Sequence, residues 1–416
     1  MHVELITIGE ELLLGYTVDS NAAYLARALA EAGVEIVRHT TVGDDLAAVA
    51  RVVGEALDRT GAVITTGGLG PTSDDMAKPA VARVFGREMQ RDAEAERAVN
   101  AWLAKRGATM RPAHRQLTMM PEGARILRNQ HGSAPGAWLE DDRGRWVAML
   151  PGVPREMRAM TGDTLLPLLR DRVGANPPVV LSRTLRTTGI AESAITELLG
   201  EYATAAAGLP VASLPGWEGV DLRLTARGMR RERAEDVLER GVTALYERVE
   251  RYVYGEDGTD LASVVLEGCR ARAWHVATAE SCTGGLLGAR LTAIPGSSDV
   301  YTGGLVAYAN AVKEQWVGVP AEMVLAEGAV SEPVARQLAA GVAARMKSEV
   351  GVGITGIAGP GGGTPEKPVG TVWIGVSVRG AVRTRGGVYA GDRAEIRQRS
   401  AQAALEMIWR AFQESE

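Results

Sequence analysis

The hydrophobic pattern of the chain changes period again and again. Near the amino terminus the run Val3–Ile8 reads as a strand ended by Gly9. Ala22, Leu25, Leu29 and Ala32 then recur at helical spacing, from an N-cap at Asp19 or Ser20 to a stop at Gly33. Alternation over residues 35–40 predicts a second strand, followed by a helix over 45–60 and a strand over 62–66. Strand–helix–strand–helix–strand at this spacing predicts a parallel sheet with helical crossovers. A further strand over 143–150 is broken by Pro151-Gly152-Val153-Pro154, with a helix from about Pro154.

Ala175-Asn176-Pro177-Pro178 reads as a linker. Beyond it the pattern predicts strand 180–187, helix 191–200, strands 210–214 and 220–227, and helix 231–249. This is a small α+β module without a polar cluster that resembles chemistry, and its expected role is a spacer or dimer contact. Gly255–Thr259 reads as a second linker. A third segment follows: helix 260–273, strand 275–280, a helix through Leu291, strand 301–307, helix 331–347, strands 350–355, 369–379 and 382–389, and helix 393–412. The expected domains are 1–174, 179–254 and 258–416, in an α/β chain.

Composition narrows the picture. The 416 residues suit two or three domains. Hydrophobic residues make up 46% of the chain and aromatic ones 5%, so the cores must rest on Ala, Val and Leu. A net charge of −5 gives no support for nucleic-acid binding driven by bulk charge. Cys269 and Cys282 form no Cys-x-x-Cys pair and no disulfide framework, which suits a reducing cytoplasm. No apolar run reaches the ~18 residues of a membrane span, and no signal-peptide pattern is visible. The expected location is the cytoplasm. Lysine occurs only at 78, 105, 313, 347 and 367 in an arginine-preferring chain. Lys313 therefore stands out, because an ammonium can shed its proton where a guanidinium cannot.

Lys313 closes a segment rich in candidate chemistry. Ala279-Glu280-Ser281-Cys282-Thr283-Gly284-Gly285 follows a strand and opens a helix, and Pro295-Gly296-Ser297-Ser298 and Tyr308–Lys313 come next. A serine activated by a lysine can hydrolyse an amide without histidine. The helix start at Gly285 is expected to offer free N–H groups to a phosphate or oxyanion. A second glycine loop, Thr355–Gly363, follows another apolar strand, as around a ligand crevice in a parallel sheet.

With Gly328–Pro333, Gly356–Pro360, Lys367–Thr371 and Gly391-Asp392-Arg393, this segment resembles the CinA C-terminal domain, also known as a free-standing nicotinamide mononucleotide deamidase. The resemblance implies an amidase without a cofactor: Ser298 as nucleophile, Lys313 as base and Tyr308 as proton relay or base support. It implies substrate contacts from Ser281, Thr283, Gly284, Gly356 and Thr371, with Arg393 facing the substrate phosphate. From the residues alone, Ser281 is not excluded as the nucleophile.

In the first segment, Thr66-Gly67-Gly68-Leu69-Gly70-Pro71-Thr72-Ser73-Asp74-Asp75 follows the third strand. Glycine N–H groups paired with carboxylates suit a phosphate held with a hard divalent cation. Helix N-capping is the plainer reading of Asp74 and Asp75. The loops around Gly9–Asn21, Asn129–Gly136 and Pro151–Glu156 complete the pattern. Residues 1–170 resemble the CinA N-terminal domain, which shares the molybdopterin-binding MoaB/MogA-like three-layer fold. That resemblance implies a Mg²⁺- or Co²⁺-dependent ADP-ribose pyrophosphatase. Asp74 and Asp75 would be the metal or phosphate ligands, and Glu10, Asn21, Gly67, Gly68, Gly70, Lys78, Asn129 and Glu156 would line the pocket. The resemblance further implies a homodimer acting on nicotinamide mononucleotide and ADP-ribose, without direct nucleic-acid or membrane contact. Molybdopterin handling and a non-enzymatic competence or repair adaptor are the competing readings.

Overall fold

The computed structural model describes residues 1–201 and 205–414. The chain divides into two compact units, residues 1–181 with 226–236 and residues 182–225 with 237–416. Among the described residues, no helix is long and apolar enough to cross a membrane.

In the first unit a six-stranded sheet runs in the order Glu35–Val42, His2–Ile8, Ala62–Thr66, Trp146–Leu150, Gly136–Glu140, Arg125–Leu127. The first four strands are mutually parallel, and Gly136–Glu140 turns the direction. Alternate residues of each strand enter different cores. Ile6, Ile8, Val63, Val147 and Met149 join one cluster, while Val3, Leu5, Ile64, Ala148 and Leu150 join the other. Helices therefore cover both faces, which makes a three-layer domain. The strand expected over 143–150 begins only at Trp146, because Gly144 adopts φ +77° in the preceding turn. The helices Ala77–Val84 and Ala93–Ala104, and the short strands between Met89 and Leu127, lie where the sequence pattern gave no element.

The parallel strands end in tight loops, and Gly67 shows why the sequence there is fixed. Its φ is +102°, and a Cβ would stand 2.1 Å from the Ile8 carbonyl oxygen. Gly67→Ala is expected to destabilise this unit by roughly 3 kcal/mol, since left-handed strain and a backbone clash add. Circular-dichroism melting checks this, and an unchanged first transition contradicts it.

The α+β module has strands in the order Val211–Pro215, Val220–Arg230, Pro178–Thr187, Val253–Glu256, with helices Glu192–Leu199 and Arg231–Val249. The expected linker at 255–259 is partly wrong. Gly255 and Glu256 belong to the strand Val253–Glu256, which pairs antiparallel with Leu185–Thr187. Its four residues are too few for a periodic signal.

The last sheet runs Tyr301–Val306, Val276–Glu280, Val350–Gly356, Thr371–Val378, Ala381–Val388, the first three parallel and the last two antiparallel. Helix Glu332–Met346 lies directly on a glycine stripe. A Cβ at Gly351 would meet the Ala339 carbonyl oxygen at 2.2 Å, and one at Gly375 would meet that of Ala335 at 2.4 Å. The opposite face is closed by helices Leu261–Ala271 and Arg393–Gln413 over Val276, Val350, Val352 and Ile354.

Candidate functional sites

Register decides which residues meet in the C-terminal sheet. Val306 pairs with Glu280, and Gly356 pairs with Val372, whose neighbour Thr371 pairs with Val388. The loops after these strands therefore emerge at one end of the sheet. They carry Ser281, Thr283, Gly284, Tyr308, Lys313, Gly356, Thr371 and Arg393. Ser298 does not join them. It lies in the turn Ser297–Asp299, before Tyr301, and Tyr301 pairs with Val276 at the opposite end. The five steps from Tyr301 to Val306 span roughly 16 Å at ~3.3 Å per residue. The expected grouping of Ser298 with Tyr308 and Lys313 is thus corrected within a single chain: the hydroxyls whose turn leaves the same sheet end as Lys313's loop are those of Ser281 and Thr283.

Lys313 is 1% exposed, and its Nζ donates to the Tyr308 carbonyl oxygen at 2.9 Å. Burial lowers its pKa, partly opposed by the nearby Cys282 thiol. The Tyr308 hydroxyl, expected to relay the proton or support the base, accepts from Arg393 Nη2 at 3.2 Å. Arg393 also donates through Nη1 to the Gly359 carbonyl at 2.5 Å. It thereby ties Tyr308 to the second glycine loop while its side chain stays exposed. Ser281 is buried, with its N–H bonded to the Ile354 carbonyl at 2.8 Å. Thr283 Oγ1 is buried and has no hydrogen-bond partner.

The helix start after Gly285 differs from expectation. Glu280, 1% exposed, accepts from the N–H of Leu287 at 3.0 Å and of Gly288 at 2.8 Å. A buried carboxylate needs donors and takes the helix N–H groups, so they are not open to a substrate anion. Sequence reasoning missed Arg397, which holds the Thr283 carbonyl through Nη2 at 2.7 Å and Nε at 3.2 Å. Its place one helical turn beyond Arg393 was the available signal.

The first unit has a cavity of about 420 Å³ beyond the carboxyl ends of its parallel strands. Gly67, Gly68, Gly70, Asp74, Asp75 and Glu156 line it, together with Glu11, Asp44 and Ser133, which sequence reasoning missed. Asn129 reaches the wall indirectly, donating to Glu156 Oε2 at 2.7 Å and to the Ala134 carbonyl at 2.9 Å. Asn21 braces the floor, donating to Thr66 Oγ1 at 3.1 Å and the Gly152 carbonyl at 2.7 Å.

Two expected lining residues are corrected. Glu10 is exposed and outside the wall, where the next residue, Glu11, takes its place. Lys78 is buried away from it, donating to the Gln116 carbonyl at 3.1 Å. Burial drops Lys78 to about 8 against the pull of Asp75. Asp75 serves its own loop: Oδ1 accepts from Gly70 N–H at 2.6 Å, and Oδ2 from Thr72 N–H at 2.8 Å and Thr72 Oγ1 at 2.6 Å.

Among the described residues, no Lys, Arg or His lines this cavity, and five carboxylates do. Among the described residues, no three His, Cys, Asp or Glu side chains converge as a ready metal cage. Such a wall repels a bare phosphate. It fits a hard divalent cation held by one or two carboxylates and completed by ligand oxygens.

Three family descriptions match: "Probable molybdopterin binding domain" over residues 4–171, "Damage-inducible protein CinA KH domain" over 182–255 and "CinA C-terminal domain" over 258–412. A "CinA-like protein" of Gemmatimonas aurantiaca is 59% identical over 99% of this chain and 96% of its own. A "putative competence-damage inducible protein" of Moorella thermoacetica is 41% identical over 99% of both chains. Among solved structures, a CinA protein of unknown function from Thermoplasma acidophilum is 31% identical, covering 40% of this chain and 99% of that one, at a TM-score of 0.38.

Proposed function

Because the chain belongs to the CinA-like, competence/damage-inducible protein family, we propose that it is a bifunctional hydrolase of pyridine-nucleotide breakdown products. The C-terminal site deamidates nicotinamide mononucleotide. The observation that carries this reading is a buried lysine of lowered pKa, on a loop at the same sheet end as the Ser281 turn. As a neutral amine, Lys313 takes the Ser281 proton while the oxygen attacks the carboxamide carbon. The tetrahedral oxyanion collapses, the C–N bond breaks, and Lys313 returns the proton to the departing nitrogen, which leaves as ammonia. Water then hydrolyses the ester, freeing nicotinate mononucleotide and Ser281. Tyr308, Arg393 and Arg397 position the loops, as their hydrogen bonds support.

The N-terminal cavity hydrolyses ADP-ribose to AMP and ribose 5-phosphate. Its five carboxylates and lack of cationic lining support a divalent metal as cofactor. Asp74, whose neighbour Asp75 is spent on the loop, would hold that metal together with the substrate diphosphate, and the bound cation would offset charge on phosphorus. Asp74→Asn is expected to lower AMP release by about a hundredfold and to raise the Mg²⁺ concentration needed for half-maximal rate. An unchanged metal requirement contradicts the assignment.

Incubation with nicotinamide mononucleotide and, separately, with ADP-ribose plus Mg²⁺, with products identified by mass, tests both activities. Intact substrate in either tube refutes the corresponding half. Tight calorimetric binding of molybdopterin without turnover favours the competing reading of the first unit.

A further inference from the structure

Within the second compact unit lies a cavity of about 750 Å³ that neither activity uses. Its size falls in the range of small-molecule sites, roughly 300–1,000 Å³. One wall is the module's loop around Trp217, and the other is the helix Arg393–Gln413 with the strand end at Gly386-Gly387.

The walls are fixed to each other. Glu218 pairs with Arg186 and lies 3.6 Å from Arg290, and Arg290 also holds Asp260 at 2.7 Å and Gln402 Oε1 at 2.8 Å. Gln402 Nε2 returns a bond to the Glu218 carbonyl at 2.8 Å. The cavity is therefore built before any ligand arrives.

Its charges are mostly spent. Glu406 is paired with Arg385 at 2.8 Å and Arg410 at 3.6 Å, Glu395 accepts the Asp392 N–H at 2.9 Å, and Glu192 is exposed at the rim. Arg399 is the exception. Its Nε is buried without a hydrogen-bond partner, and no ion pair joins its guanidinium among the described residues. Tyr389 stands on the same side. Burial raises its pKa, so its hydroxyl stays a donor. Trp217 is 36% exposed, with the Arg290 guanidinium 5.1 Å from its ring centroid.

We propose that this cavity binds a small anion carrying a planar ring, of the mononucleotide class, with the anionic group on Arg399 and Tyr389 and the ring against Trp217. A guanidinium fork suits phosphate oxygens, and an indole offers a stacking face to any base. Gly387 leaves room for close backbone approach, since a Cβ there would meet only the Tyr389 ring at 4.0 Å. The site stands apart from the proposed deamidation, since Arg393 and Arg397 face the loops at the sheet end while Arg399 lines this cavity.

The test is calorimetric titration of the full chain with AMP in the presence of EDTA, which keeps divalent metal from the first unit. Binding is expected to weaken at least about tenfold in Arg399→Gln and at least about fivefold in Trp217→Ala. Arg393→Ala is expected to leave it unchanged, and inorganic phosphate is expected to compete weakly. Tyr389→Phe, a milder change, is expected to weaken AMP about threefold and guards against misfolding of the other two variants. Equal affinity in Arg399→Gln, Trp217→Ala and the parent overturns the proposal. So does binding lost in Arg393→Ala but kept in Arg399→Gln, which moves AMP to the deamidation site. No heat of binding up to about 10 mM AMP, below which even a weak site would register, also overturns it.

Discussion

Ser281→Ala is expected to cut ammonia release from nicotinamide mononucleotide by about a thousandfold or more, while Ser298→Ala leaves it within about twofold. The contrast follows from strand register. Ser281 leaves the carboxyl end of Val276–Glu280, and Tyr308 and Lys313 leave the corresponding end of the neighbouring parallel strand. Ser298 precedes that strand and is exposed at its other end. No side-chain rotation bridges a strand's length. Both substitutions remove one hydroxyl and leave the backbone intact, so folding is not at stake. Loss of activity in Ser298→Ala with retention in Ser281→Ala contradicts the assignment, and would require Ser298 to come from a second copy of the chain.

The second large effect concerns stability. Lys78 is 1% exposed and its pKa falls from the ordinary 10.5 to about 8. Below pH 8 both folded and unfolded chains hold the proton, and the folded state bears the cost of a buried ammonium. Between about 8 and 10.5 only the unfolded chain keeps it, so stability rises with pH across that window, and the gain is lost as pH falls through 8. At about 1.4 kcal/mol per pKa unit the gain is about 3 kcal/mol. Lys78→Met removes the titration but also the bonds to the Gln116 and Leu117 carbonyls. At pH 7 it is expected to stabilise the first unit by about 1–2 kcal/mol, an advantage that vanishes by pH 10. Hydrogen exchange of peptides spanning Ala77–Val84 in the full chain, at both pH values, reads this. A difference between variant and parent that does not change with pH contradicts it.

Lys78 and Lys313 share a lesson about what the sequence discloses. Scarcity of lysine singled out Lys313, and the same argument applies to Lys78, which the glycine-loop resemblance had drawn towards the pocket instead. Packing sets both amines on backbone carbonyls, Lys313 on Tyr308 and Lys78 on Gln116 and Leu117, and only the loops around them differ. Long periodic elements such as Leu46–Thr60 and Glu332–Met346 were legible, because apolar spacing is a local property. The strands between Met89 and Leu127 were not, since they carry too few residues to show a period, whereas helix Ala93–Ala104, with Ala95, Val99 and Leu103 at helical spacing behind Asp92, carried a signal that was overlooked. The two glycine loops were found correctly as neighbours, because parallel strands send their following loops to one edge. Within one chain Ser298 falls at the other edge for the same reason in reverse: proximity in sequence says nothing about which end of a strand a turn occupies. Glu280 shows a further limit. Nothing in Glu280–Gly285 as a string reveals that the first residue folds back on the N–H groups of Leu287 and Gly288.

The pH profile of ammonia release from nicotinamide mononucleotide bears most directly on the central claim, that a neutral Lys313 amine activates a serine beside it. The parent's rate should rise with pH along an ionisation below the ordinary lysine value of 10.5, because burial favours the uncharged form. In Lys313→Met that limb should disappear along with about a thousandfold or more of the rate. A Lys313→Met enzyme that keeps both its rate and its ionisation contradicts the account.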